Sequence, residues 1–155
     1  MEIIVSKPKT EAEIKEFADC IYELILAPDK CPRESLFFPP ELEAIIRRFI
    51  FRDKTTNNLI GTGCVRLIGD GIARISYVSI KKEYQGLGLG RRMVQLLEST
   101  AFKLGASKIQ LASARGKEPF YHKLGYTIVG EEVEKYGDVV DRCNVLMKNL
   151  FRTSL

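Results

Sequence analysis

The spacing of apolar positions changes period several times along the chain, and each change marks an element. Residues 2–6 are short, apolar and β-branched and predict a first strand. Thr10-Glu11-Ala12-Glu13 is a capping box. Ile14, Phe17, Ala18, Ile21, Leu24 and Ile25 follow at helical spacing, so one apolar face is expected until Pro28 ends the helix. Pro32, Pro39 and Pro40 make the next segment irregular, with a short second helix near Glu41. Residues 46–52 and 59–68 read as strands joined across the polar stretch 53–58. Asp70-Gly71 supplies what a type I′ turn demands, so residues 72–80 should return antiparallel beside residues 59–68. A helix is expected from Arg91 to about Leu104, with Met93, Val94, Leu97, Ala101 and Leu104 on one side and Gly105 as its stop. Residues 108–113 form a strand reached through that helix, hence parallel to residues 72–80. Pro119 opens another helix that Gly125 closes, and strands at 126–129 and 143–147 complete the sheet, with residues 131–141 as their connection.

Between the strand at 72–80 and the next helix lies Tyr84-Gln85-Gly86-Leu87-Gly88-Leu89-Gly90-Arg91-Arg92. Alternate glycines let a backbone approach a ligand closely, and the helix beyond them aims unpaired N–H groups and a positive dipole end at an anion. A phosphate-bearing ligand is the first expectation. A nucleoside-triphosphate loop would need Lys and then Ser or Thr after its last glycine, where Arg91 and Arg92 stand. A dinucleotide fingerprint needs G-x-G-x-x-G on an early parallel strand, and the meander that precedes this loop argues against it.

The pattern Gln85-x-x-Gly88-x-Gly90 between strand and helix resembles the acyl-CoA signature of the GNAT (Gcn-five-related N-acetyltransferase) superfamily. A second segment, Glu118-Pro119-Phe120-Tyr121-His122-Lys123-Leu124-Gly125-Tyr126, resembles that superfamily's Phe-Tyr-x-x-x-Gly-Phe/Tyr motif and follows in the expected order. The element order β-α-α-β-β-β-α-β-α-β-β is also similar over nearly the whole chain. The resemblance implies an α/β (mixed α+β) fold: a mostly antiparallel sheet of about seven strands, one parallel pair splayed around the cofactor, and about four helices. It further implies acetyl-CoA as cosubstrate and transfer of its acetyl group to a primary amine, small-molecule or peptide, by direct attack in a ternary complex. By the same resemblance, backbone groups of Val78, Ser79 and Ile80 would meet the pantetheine arm, Gln85, Gly86, Leu87, Gly88, Leu89, Gly90 and Arg91 would cradle the pyrophosphate, and Phe120 would pack beside them. Tyr121 would be the catalytic acid, with His122 pointing elsewhere.

The general base has no such assignment. Some superfamily members carry a glutamate on the strand before the glycine loop, where this chain has Arg74, and residues 72–80 contain no acid. Glu131, Glu132, Glu134, Asp138, Asp141, a water or bulk solvent are the alternatives. Ala114 stands near where many members keep a cofactor-contacting asparagine, and Cys64 and Cys143 are conceivable acetyl carriers. Specificity is expected from residues 31–40, with Leu36, Phe37 and Phe38, and from residues 131–141. The other function classes considered are a non-catalytic acyl-CoA-binding module, which would have no use for Tyr121, and a nicotinamide oxidoreductase.

Composition fits this picture and narrows it. A chain of 155 residues, 45% hydrophobic and 28% charged, suits a single domain over residues 1–155. The net charge of +4 comes without a long basic run; Arg47-Arg48, Lys81-Lys82 and Arg91-Arg92 are short pairs, and the last two flank the glycine loop, which favours an anionic cofactor over nucleic acid. No apolar run has bilayer length and the N-terminus has no signal-like pattern, so a cytoplasmic protein without membrane association is expected. Thr153-Ser154-Leu155 lacks the basic middle residue of a peroxisomal signal. Four scattered cysteines without a Cys-x-x-Cys pair argue for reduced thiols, with neither zinc nor disulfides. A homodimer is expected only from superfamily habit.

Overall fold

The computed structural model describes residues 1–36, 40–113 and 116–150. Phe37, Phe38, Pro39, Ala114 and the C-terminal Thr153-Ser154-Leu155 therefore lie outside the described residues, and with them the expectations placed there. Seven strands form one sheet in the order β1-β2-β3-β4-β5-β7-β6: β1 (Ile3–Ser6), β2 (Arg47–Asp53), β3 (Leu59–Gly69), β4 (Ile72–Ile80), β5 (Lys108–Ser113), β6 (Thr127–Tyr136) and β7 (Val139–Asn149). Only β4 and β5 pair in parallel. Helices α1 (Glu11–Ile21), α3 (Leu89–Lys103) and α4 (Glu118–Lys123) exceed one turn, and α2 (Pro40–Glu43) is a single turn. No helix among the described residues is long and apolar enough to cross a membrane.

Local chemistry accounts for most boundaries. Thr10 and Glu13 close the capping box reciprocally, the Glu13 backbone N–H donating to Thr10 Oγ1 at 3.1 Å and the Thr10 N–H to Glu13 Oε1 at 3.2 Å. The two-residue turn after β3 has positive φ at both Asp70 (56°) and Gly71 (73°), as a type I′ turn requires. Two expectations need correction. The α-helical ladder of α1 stops at Ile21 and widens to a π-helical segment, Tyr22–Leu26, before a 3-10 turn at Ala27–Asp29, and Ile14 is exposed rather than on the apolar face. Residues 131–141 are not a loose connection: β6 and β7 run on as a hairpin that turns at Gly137, whose φ is 62°. Gly137-Asp138 between Tyr136 and Val139-Val140 was the signal for this turn.

The sheet carries a core on each face. Met93, Val94, Leu97 and Ala101 of α3 pack on Val65, Ala73, Ile75 and Ile109. On the other face Phe17, Cys20 and Ile21 of α1 pack with Leu26, Ile50 and Leu59. The α3 face depends on a missing side chain. A Cβ at Gly63 would lie 2.7 Å from Met93 Sδ and 2.9 Å from Leu97 Cδ1, and both partners are fully buried and have nowhere to swing.

β4 carries one extra residue against β3. Its pairing with β3 slips between Thr62 and Cys64, and within the resulting bulge Tyr77 takes a φ of 56°, a left-handed conformation that a bulky residue adopts only when its surroundings enforce it. The extra residue inverts the strand's facing: Ala73 and Ile75 belong to the α3 core, beyond the bulge Val78 and Ile80 take over that face, and Tyr77 joins the α1 core. A buried chain of donors holds the bulge. Thr62 Oγ1 donates to the Tyr77 carbonyl at 2.8 Å, and a carbonyl can only accept. The 2.6 Å contact between Ser79 Oγ and Thr62 Oγ1 must then be donated by Ser79, and the 3.5 Å contact between Cys20 Sγ and Ser79 by Cys20.

Gly63→Ala should lower stability by about 1–3 kcal/mol through overpacking, read as an earlier urea midpoint with unchanged slope; wild-type stability would mean that α3 can shift freely on the sheet. Thr62→Val, similar in shape but without the hydroxyl, removes the hydrogen bonds to the Tyr77 carbonyl and the Ser79 hydroxyl and should cost about 1–3 kcal/mol. Thr62→Ser should recover most of that loss in the same assay, and a Val variant as stable as wild type would refute the donor chain.

Candidate functional site

Parallel pairing of β4 with β5 lasts for three residue pairs, Ile72 with Lys108, Ala73 with Ile109 and Arg74 with Gln110. Beyond Arg74 the strands part, and a cleft of about 980 Å³ opens between them. Arg74 stands at the apex. Its Nη1 donates to Gln110 Oε1 at 2.9 Å and to Glu132 Oε1 at 2.6 Å, and Nη2 donates to Glu132 Oε2 at 2.7 Å. Hydrogen bonding from this guanidinium, opposed by burial, holds the Glu132 carboxyl below its usual range. The carboxylate nearest to the apex is thus engaged and poor as a proton acceptor.

The glycine loop forms one end of the cleft. Gly86 (φ 82°) and Gly88 (φ 78°) occupy left-handed conformations in open space, so glycine is required there for its backbone freedom. α3 begins at Leu89, two residues before the sequence pattern suggests, with Gly88 as an N-cap that has no side chain to cap with. The first ladder bond runs from the Arg92 N–H to the Gly88 carbonyl at 3.2 Å. The N–H groups of Leu89, Gly90 and Arg91 consequently have no acceptor within the helical ladder. Lys82, Arg91 and Lys117 add positive charge to this end, and Lys117 had no motif to reveal it.

The remaining loop residues divide by role. Val78, Ser79, Ile80, Gln85, Gly86, Gly88, Leu89, Gly90 and Phe120 all line the cleft. Gln85 Nε2 donates to the Ile80 carbonyl at 2.9 Å, so its side chain pins the loop to the end of β4. Leu87 is exposed and its side chain is not part of the lining. Gly90 has an ordinary helical backbone; a Cβ there would sit 3.3 Å from Phe120 Cζ, so this glycine sets how closely α3 approaches α4.

Tyr121, on α4, reaches the middle of the cleft. It is 8% exposed and packs edge-on against Phe120 and Tyr126, with ring centroids 4.9 and 5.7 Å away. Its hydroxyl has no hydrogen-bond partner among the described residues and is not sealed off from the cleft. Burial pushes the phenol up to about 12, which keeps its proton in place at neutral pH. His122 lies outside the cleft, its Nδ1 2.9 Å from the Tyr126 carbonyl at the end of α4.

The far end of the cleft has a different lining: Leu24 and Ile25 from the π-helical segment, Tyr77 from the bulge, Asp29, Cys31, and the inner face of the β6–β7 hairpin with Glu134, Tyr136, Asp141 and Cys143. Of the candidate bases, Glu131 pairs with Arg142 at 3.1 Å, and neither it nor Asp138 lines the cleft. The thiols are poorly suited to carry an acyl group. Cys64 is buried, donates to the Ser76 carbonyl at 3.3 Å and is raised to about 12 by burial. Cys143 is raised to about 12 by burial and by Asp141, and Cys31 to about 11 by burial and the same carboxylate. All four cysteines are free, and no group of three or more potential metal ligands gathers among the described residues.

Known proteins share both fold and pattern. Residues 13–126 match the model of the Acetyltransferase (GNAT) family. The chain is 33% identical over 81 residues to YyaT of Bacillus subtilis, a match that covers 52% of this chain and 54% of that protein, so the chain spans about half the length of such curated relatives. Among solved structures, an IAA acetyltransferase from Bacillus cereus superposes with a TM-score of 0.70 at 15% identity, covering 96% of this chain and 100% of that one. An aminoglycoside 6′-N-acetyltransferase complexed with coenzyme A superposes with a TM-score of 0.69 at 16% identity, covering 96% and 98%. At these identities the superpositions speak to the fold, and the family match adds the sequence pattern: the chain belongs to the GNAT acetyltransferase family.

Proposed function

We propose that the protein is a cytoplasmic N-acetyltransferase that moves the acetyl group of acetyl-CoA to a primary amine by direct attack. One observation carries the reading: a single cleft joins the free N–H groups at the start of α3 to the unpartnered, protonated hydroxyl of Tyr121. The residues at the glycine end fit a pyrophosphate, since they combine open backbone donors, a helix N-terminus and three cationic side chains. β4 beyond Arg74 has no strand partner on its β5 side, which suits an extended amide-bearing arm lying alongside it. The coenzyme A complex of the aminoglycoside acetyltransferase, which shares the fold, supports the same ligand class. Four free thiols suit a reducing compartment.

The chemistry is an addition followed by an elimination. The lone pair of a neutral amine forms a C–N bond to the thioester carbonyl carbon, and the carbonyl π pair moves to oxygen. Collapse restores C=O and breaks C–S, the bonding pair leaving on sulfur, where Tyr121 delivers its proton. The amine gives its surplus proton to water; Glu132, committed to Arg74, is a poor acceptor. Solvent then reprotonates the phenolate, and the balance is amide plus free thiol.

Calorimetric titration with acetyl-CoA should give one site per chain. Gly88→Ala, whose methyl meets no protein atom but must hold a left-handed backbone at about 1–2 kcal/mol of strain, should weaken that site at least about ten-fold; unchanged affinity would place the cofactor elsewhere. Tyr121→Phe removes a hydroxyl that bonds to nothing in the fold, so stability and acetyl-CoA affinity should hold. Turnover, followed by thiol release, should fall by about 10²-fold or more. Full activity in the Phe variant would remove Tyr121 from the reaction, and binding without turnover in wild type would favour an acyl-CoA-binding module.

A further inference from the structure

The inner face of the β6–β7 hairpin carries Glu132, Glu134 and Asp141 and no cationic side chain of its own. The register places Glu134 directly opposite Asp141, a like-charge cross-strand pair that disfavours the hairpin when nothing sits between the two. Glu132 is matched by Arg74, but Glu134 and Asp141 have no cation within ion-pair distance among the described residues. Across the cleft Asp29 adds a third carboxylate, close enough to act with Asp141 on both Cys31 and Cys143. Leu24, Ile25, Tyr77 and Tyr136 supply apolar and aromatic surface beside them. Tyr121, nine-tenths buried with an unpartnered hydroxyl, opens on the same cleft.

The cleft is therefore electrically polarised, with Lys82, Arg91 and Lys117 at one end and Asp29, Glu134 and Asp141 at the other. We infer that the acceptor is a small amine carrying at least two ammonium groups separated by an apolar segment. One nitrogen is deprotonated and acetylated near Tyr121, and the other stays charged and is held by Glu134 and Asp141, with Asp29 adding its charge from across the cleft. A cation there relieves the cross-strand repulsion and leaves its alkyl segment against the apolar and aromatic lining. A monoamine would leave Glu134 facing Asp141 with no cation between them. This assignment names the substrate class of the proposed transfer reaction and rests on that reading.

The test compares spermidine with butylamine and with a short lysine-containing peptide, by calorimetry and by thiol release with acetyl-CoA. Spermidine should bind at least about ten-fold tighter than butylamine and should lose affinity as salt is raised. In Glu134→Gln and Asp141→Asn, which preserve shape, that preference should collapse to within about three-fold, mainly through KM, with acetyl-CoA affinity unchanged. Equal binding of spermidine and butylamine, preferred turnover of the peptide, or neutral variants that keep the preference would each overturn the assignment. Failure of acetyl-CoA to bind would instead sink the transfer reading, and the amine titration would still decide whether the acidic end seats a dication.

Discussion

Backbone amide and carbonyl groups that lose their strand partner inside a protein must find another, and this requirement governs the molecule from Arg74 onward. β4 and β5 hold each other for three residue pairs and then diverge, which leaves the inner edge of β4 without a protein partner on the β5 side. Such an edge is tolerable only where water or a ligand reaches it, so the divergence and the cleft have one cause. Arg74 fixes where divergence begins, because its guanidinium bridges Gln110 on β5 and Glu132 on β6 at the apex. The bulge at Tyr77 then settles which side chains follow: Val78 and Ile80 on the α3 face, Ser79 turned inward to Thr62 and Cys20.

How much of this was legible in the sequence depends on the range over which each signal acts. The capping box at Thr10, the type I′ turn at Asp70-Gly71 and the buried face of α3 are set by residues within a few positions of each other, and the structure has them where the pattern puts them. The family's two motifs located the glycine loop and Tyr121. The bulge was hidden because β4 alternates acceptably with or without an extra residue; its position is decided by Thr62, fifteen residues away, through a hydrogen bond to a carbonyl. The length of the β6–β7 hairpin was underestimated because six of the paired residues in its outer part, Glu131, Glu132, Glu134, Lys135, Asp141 and Arg142, are charged and weigh against strand composition.

The site divides along the same line. Loop glycines are readable because backbone freedom is a property of the residue itself, although Gly90 shows the limit: it belongs to the same run as Gly86 and Gly88, yet serves the packing of α3 against Phe120. The consequence of Arg74 was not readable. Its placement in β4 suggested only a missing base, whereas the structure shows that it also captures Glu132, fifty-eight positions later, and takes that carboxylate out of contention. Lys117 and Asp29 likewise reach the cleft from turns with no distinguishing local pattern.

A protein stabilised only for folding would not assemble the set of local conflicts found here. Tyr77 holds a left-handed backbone, Glu134 faces Asp141 across a strand pair, Tyr121 buries a phenol with no partner, and Gly88 begins a helix without a capping side chain. All five of these residues line one cleft. Gathered at one place, such conflicts fit a site that a ligand completes. In the proposed reaction an anion would meet the bare helix start, a leaving group the phenol, and a cation the facing carboxylates. The net charge of +4 conceals this arrangement because the two ends have opposite sign, and only the fold separates them.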